Sequence, residues 1–219
     1  MVAALPGLLL LFAAPRAGGE PVIVDRPIAW TGQREALTVA YRRAHQDPAI
    51  DDSRIEPRVI VLHYTGGRSW KATWRYFDRT RLERGRDRLR RGGEVNVSAH
   101  FLVDRDGTIY RLLPESRMAR HCIGLNHVAI GIENVGDGGR WPLTAAQVAA
   151  NAALVRHLAG RHAITHLIGH SESNAMRRHP YWRERVASYR NSKVDPGPDF
   201  LRQVRARVAD LALEGPPAP

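Results

Sequence analysis

Two histidines and one aspartate of this sequence lie where apolar runs end or turn residues begin. At such positions, side chains from different segments can come together. His63 follows the apolar run RVIVL, His170 follows HLIG, and Asp195 lies in KVDPGP. Ligands of α/β domains usually bind near strand ends. Two histidines and one carboxylate can form an open zinc site whose fourth position takes water. Each feature taken alone can also have a purely structural role. A single histidine at a strand end usually packs within the fold, and Asp-Pro-Gly usually forms a turn.

The elements that must position these residues alternate between strands and helices. The pattern predicts strands at 58–62, 97–104, 108–113, 128–135 and 165–169, and helices at 34–44, 69–77, 144–159 and 199–213. Asp106-Gly107 between two of the strands indicates a hairpin. Thr144 and Gln147 form the pattern of a capping box. The sequence therefore predicts a mixed α/β domain around one central sheet.

Length and cysteine content limit the possible classes. The chain has 219 residues, of which 43% are hydrophobic and 25% are charged, which suits one globular domain and excludes a collagen or a largely disordered chain. Cys122 is the only cysteine. An intramolecular disulfide and a multi-cysteine zinc site are therefore excluded, and any metal must rest mainly on histidine and carboxylate side chains.

The charge of the chain is strongly positive and unevenly distributed. The formal net charge is +11, and the segment 68–91 alone holds ten basic and three acidic residues. A basic protein of this kind favours an anionic partner, such as nucleic acid, a membrane surface or an acidic cell-wall polymer. The arginine run 79–91 lacks interleaved aromatic residues and matches no nucleic-acid-reading motif, so we expect no nucleic-acid partner.

The N-terminus carries a short apolar run, LLLLFAA at residues 8–14, followed by small residues. The run is too short for a transmembrane helix and has the length of the apolar part of a secretory signal, although the usual positive charge before it is missing. We predict a signal peptide at 1–19, an N-terminal extension at 20–57, a catalytic domain at 58–213 and a disordered tail at 214–219. The protein would then be exported to the periplasm or cell wall, or stay cytoplasmic if the run is no signal.

Five ordered motifs carry a family resemblance. They are VIVLHYTGG (59–67), VSAHFLVDRDGTIYRLLPE (97–115), ARHCIGLNHVAIGIENVG (119–136), HLIGH (166–170) and KVDPGPDF (193–200). The chain resembles the zinc-dependent N-acetylmuramoyl-L-alanine amidases, a family that includes phage amidase-type lysozymes and peptidoglycan recognition proteins. The resemblance covers about 140 residues. It implies a central mixed β-sheet flanked by helices, with zinc in a surface groove.

The resemblance also implies roles for single residues. His63, His170 and Asp195 look like the three ligands of one Zn²⁺ ion. Glu133 looks like the base that activates the water, and Lys193 looks like the cation that stabilises the oxyanion. Three further residues are expected to contact substrate, namely Tyr64, His121 and Asn134.

One departure from the family concerns the spacing before Lys193. In many relatives fewer than about ten residues separate the second ligand histidine from this lysine, whereas here the segment 171–192 intervenes. The segment forms either a lip over the groove or a surface excursion. It also brings His179 and Glu172 near the site. His100, His121 and His179 are the rival metal ligands.

The activity implied is hydrolysis of the amide bond between N-acetylmuramic acid and the L-alanine of the peptidoglycan stem, in a bacterial cell wall. Peptidoglycan or muropeptides would be the partner. The main alternative is a binding module of the same fold that does not cut. A cysteine peptidase built on Cys122 is disfavoured, because a cysteine next to its histidine in sequence has poor geometry for that pair.

Overall fold

Six strands form one mixed sheet in the computed structural model, which describes residues 20–218. The predicted signal peptide lies outside the described residues. The strands are β1 (Ile23–Asp25), β2 (Val59–Tyr64), β3 (Phe101–Val103), β4 (Ile109–Arg111), β5 (Ala129–Asn134) and β6 (His166–Gly169). The α-helices are α1 (Gly32–His45), α2 (Trp70–Phe77), α3 (Asp87–Arg90), α4 (Ala145–Arg161) and α5 (Pro198–Arg207), and 3-10 helices cover His170–Arg178 and Ala209–Leu211.

The strand order is β1-β4-β3-β5-β2-β6, and β3 with β4 is the antiparallel pair among parallel neighbours. The turn between β3 and β4 uses Gly107 at φ 90°, a left-handed conformation that glycine adopts without a steric penalty. The central mixed sheet with flanking helices confirms the predicted fold class. Because β5, β2 and β6 run parallel, their carboxyl ends meet at one edge.

Side-chain alternation separates the two faces of the sheet. Ile60 and Leu62 of β2 and Ile130 and Ile132 of β5 pack with α4 and α5 in the largest apolar cluster. The alternate residues Val59 and Val61 of β2 and Ala129 of β5 lie in a different cluster on the opposite face. Successive side chains of a strand point to opposite faces, so His63 and Glu133 belong to the face without α4 and α5.

Helix α2 is fixed by a buried arginine of the N-terminal segment. Arg34, 1% exposed, donates from Nη2 to the carbonyl oxygens of Phe77, Asp78 and Arg79, at 2.9 to 3.0 Å. These carbonyls lie at the C-terminal end of α2, where a helix leaves acceptors unsatisfied and favours positive charge. The segment before residue 58 thereby holds an element of the functional domain in place.

Several boundaries differ from the sequence-based predictions. Strand β1 was not predicted, because three residues carry too little periodicity, and it pairs in parallel with β4 at the sheet edge. The last helix ends at Arg207 instead of residue 213, and a 3-10 turn follows it. Glu214, predicted to begin the tail, forms a bridge with His166. Among the helices of residues 20–218, none has the length and apolar character needed to cross a membrane.

Candidate active site

Two predicted site residues lie side by side at the carboxyl ends of neighbouring strands, and a third follows the next strand. In the register of β2 and β5, His63 is paired with Glu133. On the other side of β2, Leu62 is paired with Gly169, the last residue of β6. His170 directly follows it and is therefore level with His63. The sheet thus brings His63, Glu133 and His170 into one row.

Asp195 reaches the row from a segment that crosses the end of β6. The backbone N–H of Ser171 donates to the carbonyl oxygen of Asp195 at 2.8 Å, which fixes this segment beside His170. Asp195 is 7% exposed, whereas Lys193, two residues earlier, is exposed and lines the groove described below. The short segment therefore delivers a buried carboxylate and an exposed cation to the same place.

Three donor atoms converge in a tight triangle. His63 Nδ1 lies 2.9 Å from His170 Nδ1 and 3.2 Å from Asp195 Oδ2, and His170 Nδ1 lies 3.1 Å from Asp195 Oδ2. Tetrahedral zinc with ligands at about 2.0–2.1 Å separates them by about 3.3 Å. Histidine, cysteine and acidic side chains can all bind a metal ion. Among the described residues, these three are the ones whose ligand atoms lie close enough to share one ion. The donor set therefore fits a zinc ion.

Hydrogen bonds behind the triangle determine which nitrogen of His63 carries the proton. His121 Nε2 lies 3.2 Å from the carbonyl oxygen of Ala129, an acceptor, so this nitrogen donates. The neutral ring of His121 then has a lone pair at Nδ1, which accepts from His63 Nε2 at 3.0 Å. The lone pair of His63 Nδ1 consequently points at Asp195 and His170. A lone pair that faces a carboxylate oxygen is unfavourable unless a proton or a metal cation lies between the two atoms, and a metal-ligating histidine donates its other ring N–H in this way.

Burial keeps the supporting rings neutral, as metal ligation requires. Burial and the neighbouring His63 lower the pKa of His170 to about 4. Burial, together with His63 and His100, lowers the pKa of His121 well below its usual value. Burial alone would raise the pKa of Asp195, but the adjacent rings of His170 and His63 bring it below its usual range. The triangle therefore combines the neutral imidazole of His170 with an ionised carboxylate.

Glu133 has the properties of a group that exchanges protons near neutral pH. Burial raises the pKa of Glu133 to about 7, with His63 and Lys193 opposing the rise and Asp195 adding to it. Its Oε2 atom is buried and has no hydrogen-bond partner among the described residues. A carboxyl group with a pKa near the working pH can both take and return a proton.

The row lies in a groove of about 460 Å³. His63, His170, Asp195, Glu133 and Lys193 all contribute to its lining. Of the three predicted substrate contacts, Tyr64 and His121 also line it. Both ring nitrogens of His121 are occupied by His63 and Ala129, however, so the ring acts on His63 and has no nitrogen left for a ligand.

The segment 171–192 contributes one wall of this groove through Tyr189 and Asn191. Its geometry is therefore closer to the predicted lip than to a surface excursion. The ring of Tyr189 packs near Tyr41 of α1, at 6.4 Å between centroids. The Tyr189 hydroxyl accepts from Nη2 of the buried Arg120 at 2.7 Å.

Arg120 also joins this wall to the arginine-rich segment. It donates to the carbonyl oxygens of Leu89, Gly93 and Val95. Arg120, Tyr41 and Tyr189 all line the groove. Sequence reasoning missed Arg120 and Tyr41 and included Tyr189 only as part of the possible lip at 171–192. Only the position of Arg120, next to His121 in a recognised motif, offered a signal.

The structure does not place Asn134, a predicted substrate contact, in the lining of the groove. It is 0% exposed, and its Nδ2 donates to the carbonyl oxygen of His63 at 3.0 Å. It follows Glu133 in β5, so alternation turns it to the face of α4, where it exchanges hydrogen bonds with Asn151. Asn134 therefore fixes the end of β2 from behind.

The rival metal ligands are engaged elsewhere. His100 Nδ1 accepts from the N–H of Gly131, and its Nε2 donates to the carbonyl oxygen of Arg117. His179 packs against His166 and Tyr181. Cys122 is buried, and burial raises its pKa to about 12, which does not suit a nucleophile.

Comparison with known proteins agrees with the chemistry that the site geometry indicates. The N-acetylmuramoyl-L-alanine amidase family model (Amidase_2) matches residues 53–198, about two thirds of the chain. No curated protein matches the chain.

Among solved structures, the chain is similar to the N-acetylmuramoyl-L-alanine amidase LysC from Clostridium intestinale, with 23% identity and a TM-score of 0.56 over 89% of this chain and 99% of that one. It is also similar to AmpD, with 22% identity and a TM-score of 0.51 over 85% and 94%. Bumblebee PGRP-SA gives 17% identity and a TM-score of 0.50 over 91% and 99%. Likenesses at these identities support the fold, and the family model identifies the relationship. The chain belongs to the N-acetylmuramoyl-L-alanine amidase family.

Proposed function

We propose that this protein is a zinc-dependent N-acetylmuramoyl-L-alanine amidase. It adds water across the amide bond between the lactyl group of N-acetylmuramic acid and the L-alanine of the stem peptide. The products are a carboxylic acid on the sugar and a peptide with a free L-alanine amine. Family membership supports the class of reaction. The site residues below supply the particular mechanism.

The lone pair of His63 Nδ1 carries this proposal. The chain from Ala129 through His121 to His63 leaves that lone pair facing Asp195 Oδ2 at 3.2 Å. A hydrogen-bonded structural cluster would place a proton there. A shared cation satisfies the arrangement, so His63, His170 and Asp195 would hold zinc. When bound, zinc lowers the pKa of a water molecule to about 7 and polarises a carbonyl group.

Glu133 would act as the proton carrier. It takes a proton from the attacking water and gives it to the departing nitrogen of L-alanine, so the amine leaves neutral. Its pKa of about 7 suits both transfers, since general catalysis is most effective when the pKa lies near the working pH. The unpartnered Oε2 leaves one oxygen available for this exchange.

Lys193 would stabilise the negative charge that develops on the amide oxygen. Its ammonium group is exposed at the groove, two residues from the buried Asp195. Removal of one donor from an oxyanion hole costs about 3–4 kcal/mol in characterised enzymes, and a cation at this position would act in the same way. Tyr64 lies in the same lining and would contact the sugar or the peptide.

The first experiment incubates the purified protein with peptidoglycan and follows the products by mass spectrometry. The matched arms are the untreated protein, the chelated protein, the chelated protein with zinc restored, and Glu133→Gln. We expect stem peptides with a free L-alanine amine in the first and third arms. Glu133→Gln should bind zinc normally and lose activity about 10²–10⁴-fold, the range for one acid–base group.

Other products would refute parts of this proposal. Cleavage that survives chelation would exclude zinc dependence. Wild-type turnover by Glu133→Gln would remove Glu133 as the base. Intact muropeptides in every arm, from a protein that still sediments with the wall, would identify a non-cutting binding module.

We also propose that the chain acts outside the cytoplasm, after removal of a signal peptide at 1–19. The substrate class and the apolar run at residues 8–14 support this location. The predicted domain from 58 to 213 would be the catalytic unit, with α1 and β1 of the extension packed onto it. N-terminal sequencing of secreted protein tests the cleavage point.

A further inference from the structure

Helix α2 separates the groove from a second pocket. Ala72, Thr73 and Tyr76 on one side of α2 line the groove. The other side contributes to a separate pocket of about 300 Å³, which we call the outer pocket. It is lined by Arg26, Trp70, Lys71, Trp74 and Arg75. A helix with its side chains is about 10–12 Å thick, so the two sites lie within reach of one polymer or of adjacent strands.

The two indole rings of the outer pocket are held in place from behind. Trp70 stacks on Tyr110 with ring centroids 4.1 Å apart. Trp74 Nε1 donates to the carbonyl oxygen of Arg26 at 2.9 Å. Both tryptophans are half-buried and pack on the core cluster beneath α2. Their rings form a preorganised surface and do not protrude as they would for membrane insertion.

The three cations of the outer pocket have no acidic partner. Within residues 20–218, no carboxylate forms an ion pair with Arg26, Lys71 or Arg75, and all three side chains are exposed. By contrast, Arg81 and Arg86 in the following segment are paired with Glu94 and Glu83. The positive charge of the outer pocket is therefore available to a ligand.

We propose that the outer pocket binds an acidic wall glycan at a site distinct from the groove. A pyranose ring packs its C–H face against the indoles, and a carboxylate or phosphate on the polymer pairs with Lys71, Arg75 and Arg26. This site retains the protein on its insoluble substrate and leaves the chemistry to the groove. It goes beyond the proposed amidase function, because binding here needs neither zinc nor Glu133.

The test compares two double charge reversals. Lys71→Glu with Arg75→Glu alters the outer pocket. Arg161→Glu with Arg178→Glu changes the net charge equally at exposed positions that line neither pocket. Binding to purified peptidoglycan sacculi is measured by sedimentation in chelator at physiological salt, so that the substrate stays intact. Cleavage of a small soluble muropeptide is measured separately with zinc.

We expect the double variant of the outer pocket to bind sacculi about tenfold more weakly, while the control double variant binds them nearly as the wild type does. All three proteins should cleave the soluble muropeptide equally. Equal sedimentation of the two pairs, whether retained or lost, would overturn the proposal. Binding of the wild type to anionic phospholipid vesicles or to DNA more tightly than to sacculi would also overturn it. Sedimentation that differs as expected, without cleavage by any protein, would refute the amidase function and leave the outer pocket standing.

Discussion

Gly131 and His121 are in contact that only glycine permits. A β-carbon on Gly131 would lie 2.7 Å from Cγ of the His121 ring and 2.8 Å from its Nδ1. Real β-carbons do not approach other heavy atoms this closely. The absent side chain lets the imidazole lie against β5, within hydrogen-bond distance of His63. The absence of a side chain at Gly131 therefore determines where His121, the hydrogen-bond partner of the proposed zinc ligand His63, lies.

We expect Gly131→Ala to destabilise the fold and to weaken zinc binding. The new methyl group must displace the half-buried His121 ring, and overpacking of this kind costs about 1–3 kcal/mol. Thermal unfolding and a zinc competition titration measure the two effects. Gly160→Ala in α4 is the control, because a β-carbon there meets no atom within 4 Å and alanine favours a helix. Equal melting temperatures for both variants would contradict the prediction.

His121→Phe tests the hydrogen bond behind His63 with little change in shape. Phenylalanine keeps a ring beside Gly131 but removes the acceptor for His63 Nε2. Loss of such a supporting partner typically weakens metal binding about 10–100-fold. A chelator competition assay gives the affinity, and His157→Phe on the partly exposed side of α4 serves as control. Unchanged zinc affinity would show that His121 does not orient the ligand.

Much of the fold followed from patterns that are local in the chain. The apolar runs before His63 and His170 predict two strands, and both strands are present as β2 and β6, which are neighbours in the sheet. The capping box at Thr144 is present, with both hydrogen bonds formed. Periodicity and capping act over a few residues, so a single sequence reveals them.

Contacts between distant segments were not predictable from the sequence. Tyr41 and Tyr189 meet in the groove wall although 148 positions separate them, and neither lies in a recognised motif. The position of Asn134 after Glu133 predicts a substrate contact, whereas the strand alternation turns its side chain toward α4. In both cases the deciding information is which face of an element is buried, and this depends on tertiary packing.

The buried His100 makes stability depend on pH. Burial lowers its pKa from 6.5 to about 4, while the Arg117 carbonyl and Glu115 oppose the shift and His162 adds to it. The unfolded chain therefore binds the proton more readily. The contribution of His100 to the free energy of unfolding is fully present above pH 6.5 and is lost as the pH falls toward about 4. The full shift corresponds to about 3 kcal/mol.

Urea unfolding of the chelated protein across this pH range measures the effect. His121 and His170 add slopes of the same sign, so His100 is isolated by comparison with His100→Gln, which retains an amide donor and acceptor. In the variant, the slope of the free energy of unfolding against pH should be smaller by up to about 1.4 kcal/mol per pH unit. Parallel curves for the two proteins would exclude His100 as a contributor.

Lys193→Ala should separate turnover from metal binding. The lysine lies at the groove beside Asp195 but is not one of the atoms in the ligand triangle, so zinc affinity should stay near wild type. Loss of the charge beside the developing oxyanion should lower kcat about 10²–10³-fold, with a smaller change in KM. Val194→Ala is the matched control, because Val194 is 73% exposed on the same segment. A change confined to KM would instead make Lys193 a substrate-binding residue, since it would mean that the ammonium group stabilises the bound ground state and the transition state equally.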